Sequence, residues 1–454
     1  MSTTVPIVPK PRRFSIRLPR PLWFGLAAVT VLFVAVANAA EPEKRAAGWP
    51  QWRGPNRDGC SSDVGLLQKW PDAGPPLAYT ISELGLGRGG VAVASGKVVM
   101  TGYRKSDFAH VLAFDSDDGH ELWATQVGSG SDMTPIIDGD RVYSLGVGGD
   151  LVCLHLSDGT VLWKKHYKRD FGNNVLFYFR AYHDALLIDG DNLICFPDGS
   201  AAKIVALDKL TGELKWKVAA PKPRELFTGE PAFVAFRGAG ISQYVQMLGR
   251  KGGCRGISAE DGKLLWSHGR EAARFVQPVV PIVRGDYVFS FSDDDGGAAL
   301  LKLSRSEEGV VAEEVWSSMD IQFQMNRGGA ILVGESIFGV VRSNRYRADG
   351  KAVPACINLM TGKTKWRGPK AGPGEGAAAA IYADRQLYFR YDDGVMALVE
   401  ASHERYKLNG TFRIPTVTGL PDGRDPPTPP AISGGRLYIR EKETLFVYDV
   451  RMEK

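Results

Sequence analysis

The sequence predicts an all-β fold: an eight-bladed β-propeller of four-stranded antiparallel blades, its ring closed by an N-terminal strand. Three observations carry that prediction. An eleven-residue pattern recurs along the chain, its copies are spaced by the length of a propeller blade, and turn-forming residues abound, with 53 Gly and 27 Pro in 454 residues.

The pattern is AFDSDDGHELW at 113–123, CLHLSDGTVLW at 153–163, ALDKLTGELKW at 206–216, GISAEDGKLLW at 256–266 and CINLMTGKTKW at 356–366. Each copy opens on a small or apolar pair that ends a strand. Gly119, Gly159, Gly212, Gly262 and Gly362 supply the positive φ of a tight hairpin turn. Asp118, Asp158, Thr211, Asp261 and Thr361 can bond the turn backbone through their side chains. Trp123, Trp163, Trp216, Trp266 and Trp366 then fall on the next strand, where a large apolar ring with one N–H suits a contact between sheets.

Further short strands precede each copy. In PIIDGDRVYSLGVGGDLVCL, residues 135–154, Ile136-Ile137, Val142–Leu145 and Leu151–Leu154 are separated by Gly/Asp turns, and the Trp strand makes a fourth. A looser copy runs from Gly309 to Trp316, so the turn glycines are 40, 53, 50, 47 and 53 residues apart. Dividing the roughly 407 residues after Ala47 by that spacing gives about eight units. MALVEASHERY, from Met396, stands where a seventh copy belongs. LFVYDV, from Leu445, begins an eighth whose outer strand is missing, and Pro76–Ile81 is the expected donor. Residues 76–454 read as one propeller, and 41–75 as a Trp-rich extension holding Trp49, Trp52 and Trp70. Clustered tryptophan is usually buried, so the extension is expected to pack as a lid on one face of the ring, with a binding surface as the competing reading.

The first 40 residues form a separate segment. Lys10, Arg12, Arg13, Arg17 and Arg20 stand there without an acid, followed by an apolar run from Leu22 and the small residues Ala37-Asn38-Ala39. This is the pattern of a secretory signal peptide. The run to Ala40 also approaches the length of a membrane span, so residues 22–40 have an uncleaved anchor as their second reading. The net charge of +5 comes from this leader, since the rest of the chain balances 51 basic against 51 acidic residues. A neutral mature chain argues against nucleic acid as a partner. Contact with a membrane is expected only through the N-terminal segment.

The pattern A-x-D-x-x-x-G-x-x-x-W resembles the repeat of PQQ-like, quinoprotein-type propellers, and WPQWRGPNRDG at 49–59 is similar to a segment found before the propeller in many secreted members. The resemblance covers nearly the whole mature chain. It is closer to the non-catalytic BamB-type outer-membrane assembly proteins than to the quinoprotein alcohol dehydrogenases. The dehydrogenases hold a quinone over Ca²⁺ and commonly place a disulfide between adjacent cysteines above the ring. No two of Cys60, Cys153, Cys195, Cys254 and Cys356 are adjacent. The resemblance therefore implies an exported scaffold of the periplasm or cell envelope, binding a protein or envelope polymer on one face. No catalytic residue, cofactor or metal is expected. The alternative is a PQQ- and Ca²⁺-dependent oxidoreductase acting on an alcohol or sugar.

Residues of other chemistry are sparse. The seven histidines show no H-x-x-x-H spacing, and His120 and His155 fall in repeat turns. Ser292–Gly297 offers three carboxylates to Ca²⁺ but reads equally as an acidic turn. GLGRGG at 85–90 lacks the Lys-Ser/Thr of a phosphate loop and reads as a plain loop. Cys153 and Cys356 open two repeats where others carry Ala or Gly, so both are expected as small core residues. The leader is directly testable: N-terminal sequencing of exported protein should start near Ala40 or Glu41, and an intact Met1 in the membrane fraction would establish the anchor instead.

Overall fold

The computed structural model describes residues 48–87, 89–104, 108–128, 133–172, 186–219, 232–248, 253–269, 280–291, 297–321, 323, 329–342, 352–369, 372–415 and 428–452. The leader and Ser292–Gly296 lie outside them. After β1 (Leu77–Ile81) the strands fall into groups of four. Blade 1 is β2 (Ala92–Ala94), β3 (Lys97–Tyr103), β4 (Ala109–Asp115) and β5 (Glu121–Gly128). Blade 2 is β6 (Ile136–Asp138), β7 (Arg141–Leu145), β8 (Asp150–His155) and β9 (Val161–His166), followed by the single-turn helix α1 (Tyr167–Phe171). Blade 3 is β10 (Leu187–Asp189), β11 (Asn192–Cys195), β12 (Ile204–Asp208) and β13 (Leu214–Val218). Blade 4 is β14 (Phe233–Gly238), β15 (Ile241–Leu248), β16 (Gly253–Ser258) and β17 (Leu264–His268). Blade 5 is β18 (Ile282–Arg284), β19 (Tyr287–Phe291), β20 (Ala298–Ser306) and β21 (Gly309–Ser318). Blade 6 is β22 (Ile331–Val333), β23 (Ser336–Arg342), β24 (Ala352–Asn358) and β25 (Thr364–Arg367). Blade 7 is β26 (Ala378–Ala383), β27 (Gln386–Tyr391), β28 (Val395–Glu400) and β29 (Leu408–Arg413). Blade 8 joins β30 (Ala431–Ser433), β31 (Arg436–Glu441) and β32 (Thr444–Asp449) to β1. The described residues thus form the expected eight antiparallel sheets of four strands, and β1 closes the ring by pairing with β32.

Burial orients each blade. The short first strands line the centre, where β2 lies beside β6 and β30, and β22 beside β26. The fourth strands carry mostly exposed and half-buried residues and form the rim. The repeat explains how blades join. In blade 1, Ala113 pairs with Trp123 and the register then slips by a bulge; Cys153–Trp163, Ala206–Trp216 and Cys356–Trp366 repeat the arrangement. The bulge turns the indole sideways onto the next blade. Trp123 donates to the carbonyl of Leu156 at 3.0 Å, and a methyl group on Gly159 would sit 2.5 Å from its ring. Trp163 does the same with Lys209 (3.1 Å) and Gly212, and Trp316 with Leu359 (2.9 Å) and Gly362. Glycine is needed in these turns for the close approach of the neighbour's indole as well as for φ. The turn itself is wider than a two-residue hairpin: Gly119 donates back to Asp115 at 3.0 Å, and Asp115 to His120 at 2.9 Å. The Asp or Thr side chain accepts from the backbone two residues on, as Asp118 does from His120 at 2.9 Å.

Blade 5 lacks the turn, because β20 and β21 run on as one long hairpin. Trp266 therefore finds no carbonyl there and donates to Gln243 Oε1 of its own blade at 2.6 Å. A methyl group at Gly256 would lie 2.1 Å from that indole nitrogen, which is why glycine replaces the Ala or Cys of the other copies.

Blades 7 and 8 have no repeat tryptophan, and both losses are made good by residues that precede blade 1. At the register position of the tryptophan, blade 7 carries Gly410, opposite Leu398. Trp70 packs on Gly410, 5.0 Å from the Phe412 ring and 5.8 Å from Tyr388, and is 2% exposed. In blade 8 the position falls to Tyr79 of β1, whose hydroxyl donates to Ser116 at 2.8 Å and whose ring covers Gly119. Two buried arginines stitch the same seam. Arg390 donates to the carbonyls of Thr428 and Arg440 and pairs with Glu441. Arg440 donates to the carbonyls of Gly85, Gly89, Thr101 and Lys442. The GLGRGG loop is thus a carbonyl cradle for Arg440, and a methyl group on Gly85 would lie 1.6 Å from the carbonyl oxygen of Tyr103.

All five cysteines are free and buried. Cys153 and Cys356 sit in the core as expected, and burial pushes the Cys356 thiol up to about 11. Burial likewise lifts Tyr406 and Tyr448 to about 12. Among the described residues no helix is long and apolar enough to cross a membrane.

Two outcomes follow. Trp70→Ala should destabilise by about 3–5 kcal/mol in denaturant unfolding, as much as Trp123→Ala, although Trp70 lies outside every repeat. An unchanged midpoint would show the extension dispensable to blade 7. The raised acid groups stay protonated in the fold while the unfolded chain ionises. Their stabilisation is therefore complete below the unfolded thiol value of 9.0 and is lost as pH rises toward about 11. The denaturation midpoint should be flat near neutrality and fall across that window; a midpoint constant to pH 11 would contradict these burials.

Candidate functional site

The five Gly–Trp pairs singled out by the repeat lie between blades and toward the rim, so they build the ring rather than a site. The centre is built by WPQWRGPNRDGC, residues 49–60. Trp49 makes an antiparallel bridge with Val93 of β2 (2.7 and 2.8 Å), and Pro50 accepts from Ile137 of β6 at 2.8 Å. The chain then turns back on itself. Gly54 donates to Gln51, Arg57 to Gly54 and Gly59 to Arg53, while Pro55 has no N–H to satisfy. On the return, Gly59 accepts from Tyr382 of β26 at 2.8 Å, and Ser61 donates to Tyr382 at 2.8 Å.

One short segment can reach the innermost strands of blades 1, 2 and 7 only by lying inside the ring. Its two arginines extend the span. Arg53 Nη2 donates to the carbonyl of Ala330, just before β22 (2.8 Å), and Arg57 Nη1 to that of Leu186, just before β10 (2.5 Å). Arg53 also holds the loop together through the carbonyls of Arg57 (3.1 Å) and Asp58 (3.2 Å). The Trp52 ring lies 5.9 and 5.5 Å from the two guanidinium carbons. Beyond Ser61 the chain leaves beside the turns that join first to second strands: Asp63 accepts from Gly435, and Leu66 donates to Asp384.

This corrects the expectation of a lid. Trp49 (3% exposed) and Trp70 are buried and Trp52 half-buried, as lid packing would have them, but the extension enters the channel as a plug. Hydrogen bonding decides it, since the backbone groups of Trp49, Pro50, Gly59 and Ser61 meet the inward edges of first strands, which among the described residues pair with no further strand on that side. Repeat logic could not reveal this, because the segment belongs to no repeat. The signal available was a pair of arginines set among Trp, Gly and Pro.

The plug carries two guanidinium groups, Arg53 and Arg57, and one carboxylate, Asp58, a net positive balance. Burial pulls Arg53 down to about 10, with Asp58 opposing, so it keeps its charge at neutral pH. A quinone over Ca²⁺ needs several oxygen ligands converging on the ion. Among the described residues, Asp115, Asp118 and His120 form the one group of three acidic or imidazole side chains close enough to share an ion. They lie on the β4–β5 turn, where Asp115 and Asp118 accept backbone N–H groups. At the centre the described residues instead place two guanidinium groups, which repel a divalent cation. The described residues of the channel do not fit the Ca²⁺–quinone pair.

Comparison with known proteins gives both branches of one fold. The chain is 27% identical over 136 residues to an outer membrane protein assembly factor BamB of Kangiella koreensis, covering 28% of this chain and 30% of that one. It is 32% identical over 117 residues to a 1-butanol dehydrogenase (cytochrome c) of Thauera butanivorans, covering 24% and 16%. The matches thus span less than a third of either relative. Among solved structures, BamB from Moraxella catarrhalis has a TM-score of 0.54 at 13% identity, covering 83% of this chain and 98% of that one. A quinohemoprotein alcohol dehydrogenase from Comamonas testosteroni has a TM-score of 0.58 at 12% identity, covering 92% and 82%. At such identities these structures share the fold alone. A family model described as outer membrane protein assembly factor BamB matches residues 45–233 and 199–307, more than half of the chain, and the protein belongs to that family.

Proposed function

We propose that the protein is an exported, non-catalytic scaffold whose ring binds a protein or an envelope polymer on one face. The observation that carries this reading is the filled channel: residues 49–61, with Arg53 and Arg57, take the axis of the fold. The BamB-type family and the leader of residues 1–40 support a place in the periplasm or cell envelope, with the membrane reached through the N-terminal segment if it stays uncleaved. The plug enters on the side of the short first-to-second strand turns.

The oxidoreductase reading draws on the fold and on a partial match to a butanol dehydrogenase. It requires oxygen ligands at a centre where the described residues supply cations. Titration of the purified protein with pyrroloquinoline quinone and Ca²⁺, followed by absorbance and dye reduction, separates the two. A scaffold gives no saturable change and no alcohol-dependent reduction. Saturable binding with turnover would replace the scaffold with an enzyme.

A further inference from the structure

The plug differs in kind from the segment that follows it. Downstream, the extension is knitted into the ring. Gln68 donates to Asp384 and accepts from Gln386, Gln386 accepts from Asn409, Trp70 fills the gap at Gly410, and β1 forms a continuous ladder with β32. Upstream, residues 49–61 meet the first strands through isolated bridges and single bonds rather than a ladder, with Trp49, Trp52 and Cys60 packed against the core. Two of these residues, Arg53 (φ 63°) and Arg57 (φ 58°), hold left-handed backbone without being glycine, a strained conformation for side-chain-bearing residues. Both also bury a guanidinium, and Arg53 titrates low because of it. Between the two parts lies a solvent-exposed joint. Val64 is 79% exposed, and the next residue, Gly65, is already held, its carbonyl accepting from Met452 at 2.9 Å.

A strained, charge-bearing segment joined through exposed Val64 to a strap held from Gly65 onward can swing out while the ring remains closed. What it leaves behind is specific: the backbone N–H and C=O of Val93 and Tyr382, the N–H of Ile137, and the carbonyls of Leu186 and Ala330, all of which it satisfies when seated. We propose that residues 49–61 are a releasable ligand supplied by the chain itself. The channel they vacate is a site for an extended segment of a partner protein that carries arginine beside an aromatic residue. This deepens the scaffold reading by naming the chemistry of its partner.

Cys60 reports the seating of the plug, because it is buried in it, whereas Cys153, Cys195, Cys254 and Cys356 lie in blades 2, 3, 4 and 6. The test is thiol labelling of the intact chain, resolved by peptide mass spectrometry, across denaturant concentrations below the unfolding transition. Cys60 should be labelled at least ~100-fold faster than the other four, with a shallow dependence on denaturant, since little surface is exposed when only the plug leaves. Arg57→Ala should raise the Cys60 rate about tenfold and keep the slope shallow. A synthetic peptide with the sequence of residues 48–59, which contains no cysteine, should raise the Cys60 rate saturably by capturing the open channel. The same peptide with both arginines replaced by alanine should not. Labelling of Cys60 at the rate and slope of the other four would overturn the proposal, as the plug would then leave only with global unfolding. A shallow slope without a peptide effect would overturn the partner site. Neither readout involves the quinone, so failure here is distinguishable from failure of the scaffold reading.

Discussion

The joint between neighbouring blades is the contact on which this molecule depends. An aromatic ring on the outer strand of one blade lies flat against a left-handed glycine of the next, and where the geometry allows, its polar atom bonds a carbonyl of the same turn. Trp123 on Gly159 and Trp163 on Gly212 are the regular form. A four-stranded blade cannot cover both of its faces alone, so each joint buries apolar surface that either blade would expose in isolation. A ring adds a constraint that an open array lacks: the last joint must be made between residues far apart in sequence.

The chain solves that constraint with its N-terminal extension and β1. Tyr79 takes the tryptophan's place in blade 8 and Trp70 in blade 7, so residues before the first blade complete the last two. The seam also holds Arg390 and Arg440, which are almost fully buried and bonded mainly to carbonyls contributed by blades 8 and 1 and the loop before them. Buried charge is a poor source of net stability, because desolvation offsets much of what the bonds return. It is directional, however, and a guanidinium that needs four carbonyls in fixed places accepts one register between the ends of the chain and no other.

The same extension decides the chemistry of the centre. In a propeller the axis is where first strands from every blade converge, and so where a ligand can touch several blades at once. Here that position is taken by Trp49, Arg53 and Arg57. Two guanidinium groups on the axis favour anions and oxygen dipoles and disfavour metal cations. Family membership alone leaves scaffold and oxidoreductase open, since both occur on this fold, and the channel is where a quinone titration would tell them apart.

The sequence by itself determined the ring. Gly at a fixed distance from Trp, repeated at blade spacing, encodes a local turn and a local bulge, and local chemistry repeats wherever its residues do. The blade count, the antiparallel order and the pairing of Leu77–Ile81 with the last strand were all legible in that way, the last because an unpaired inner strand at one terminus and an unclaimed strand at the other leave one sensible solution. Only the tertiary structure decided where the extension goes. Trp70 is recognisable as the missing wedge of blade 7 once Gly410 is seen to stand at the tryptophan's register, a correspondence that crosses more than three hundred residues of chain. Arg53 and Arg57 read in sequence as polar residues in a Gly/Pro loop. Their burial follows from five inner strands meeting around one axis, a place that no stretch of sequence contains, because it exists only when the ring has closed.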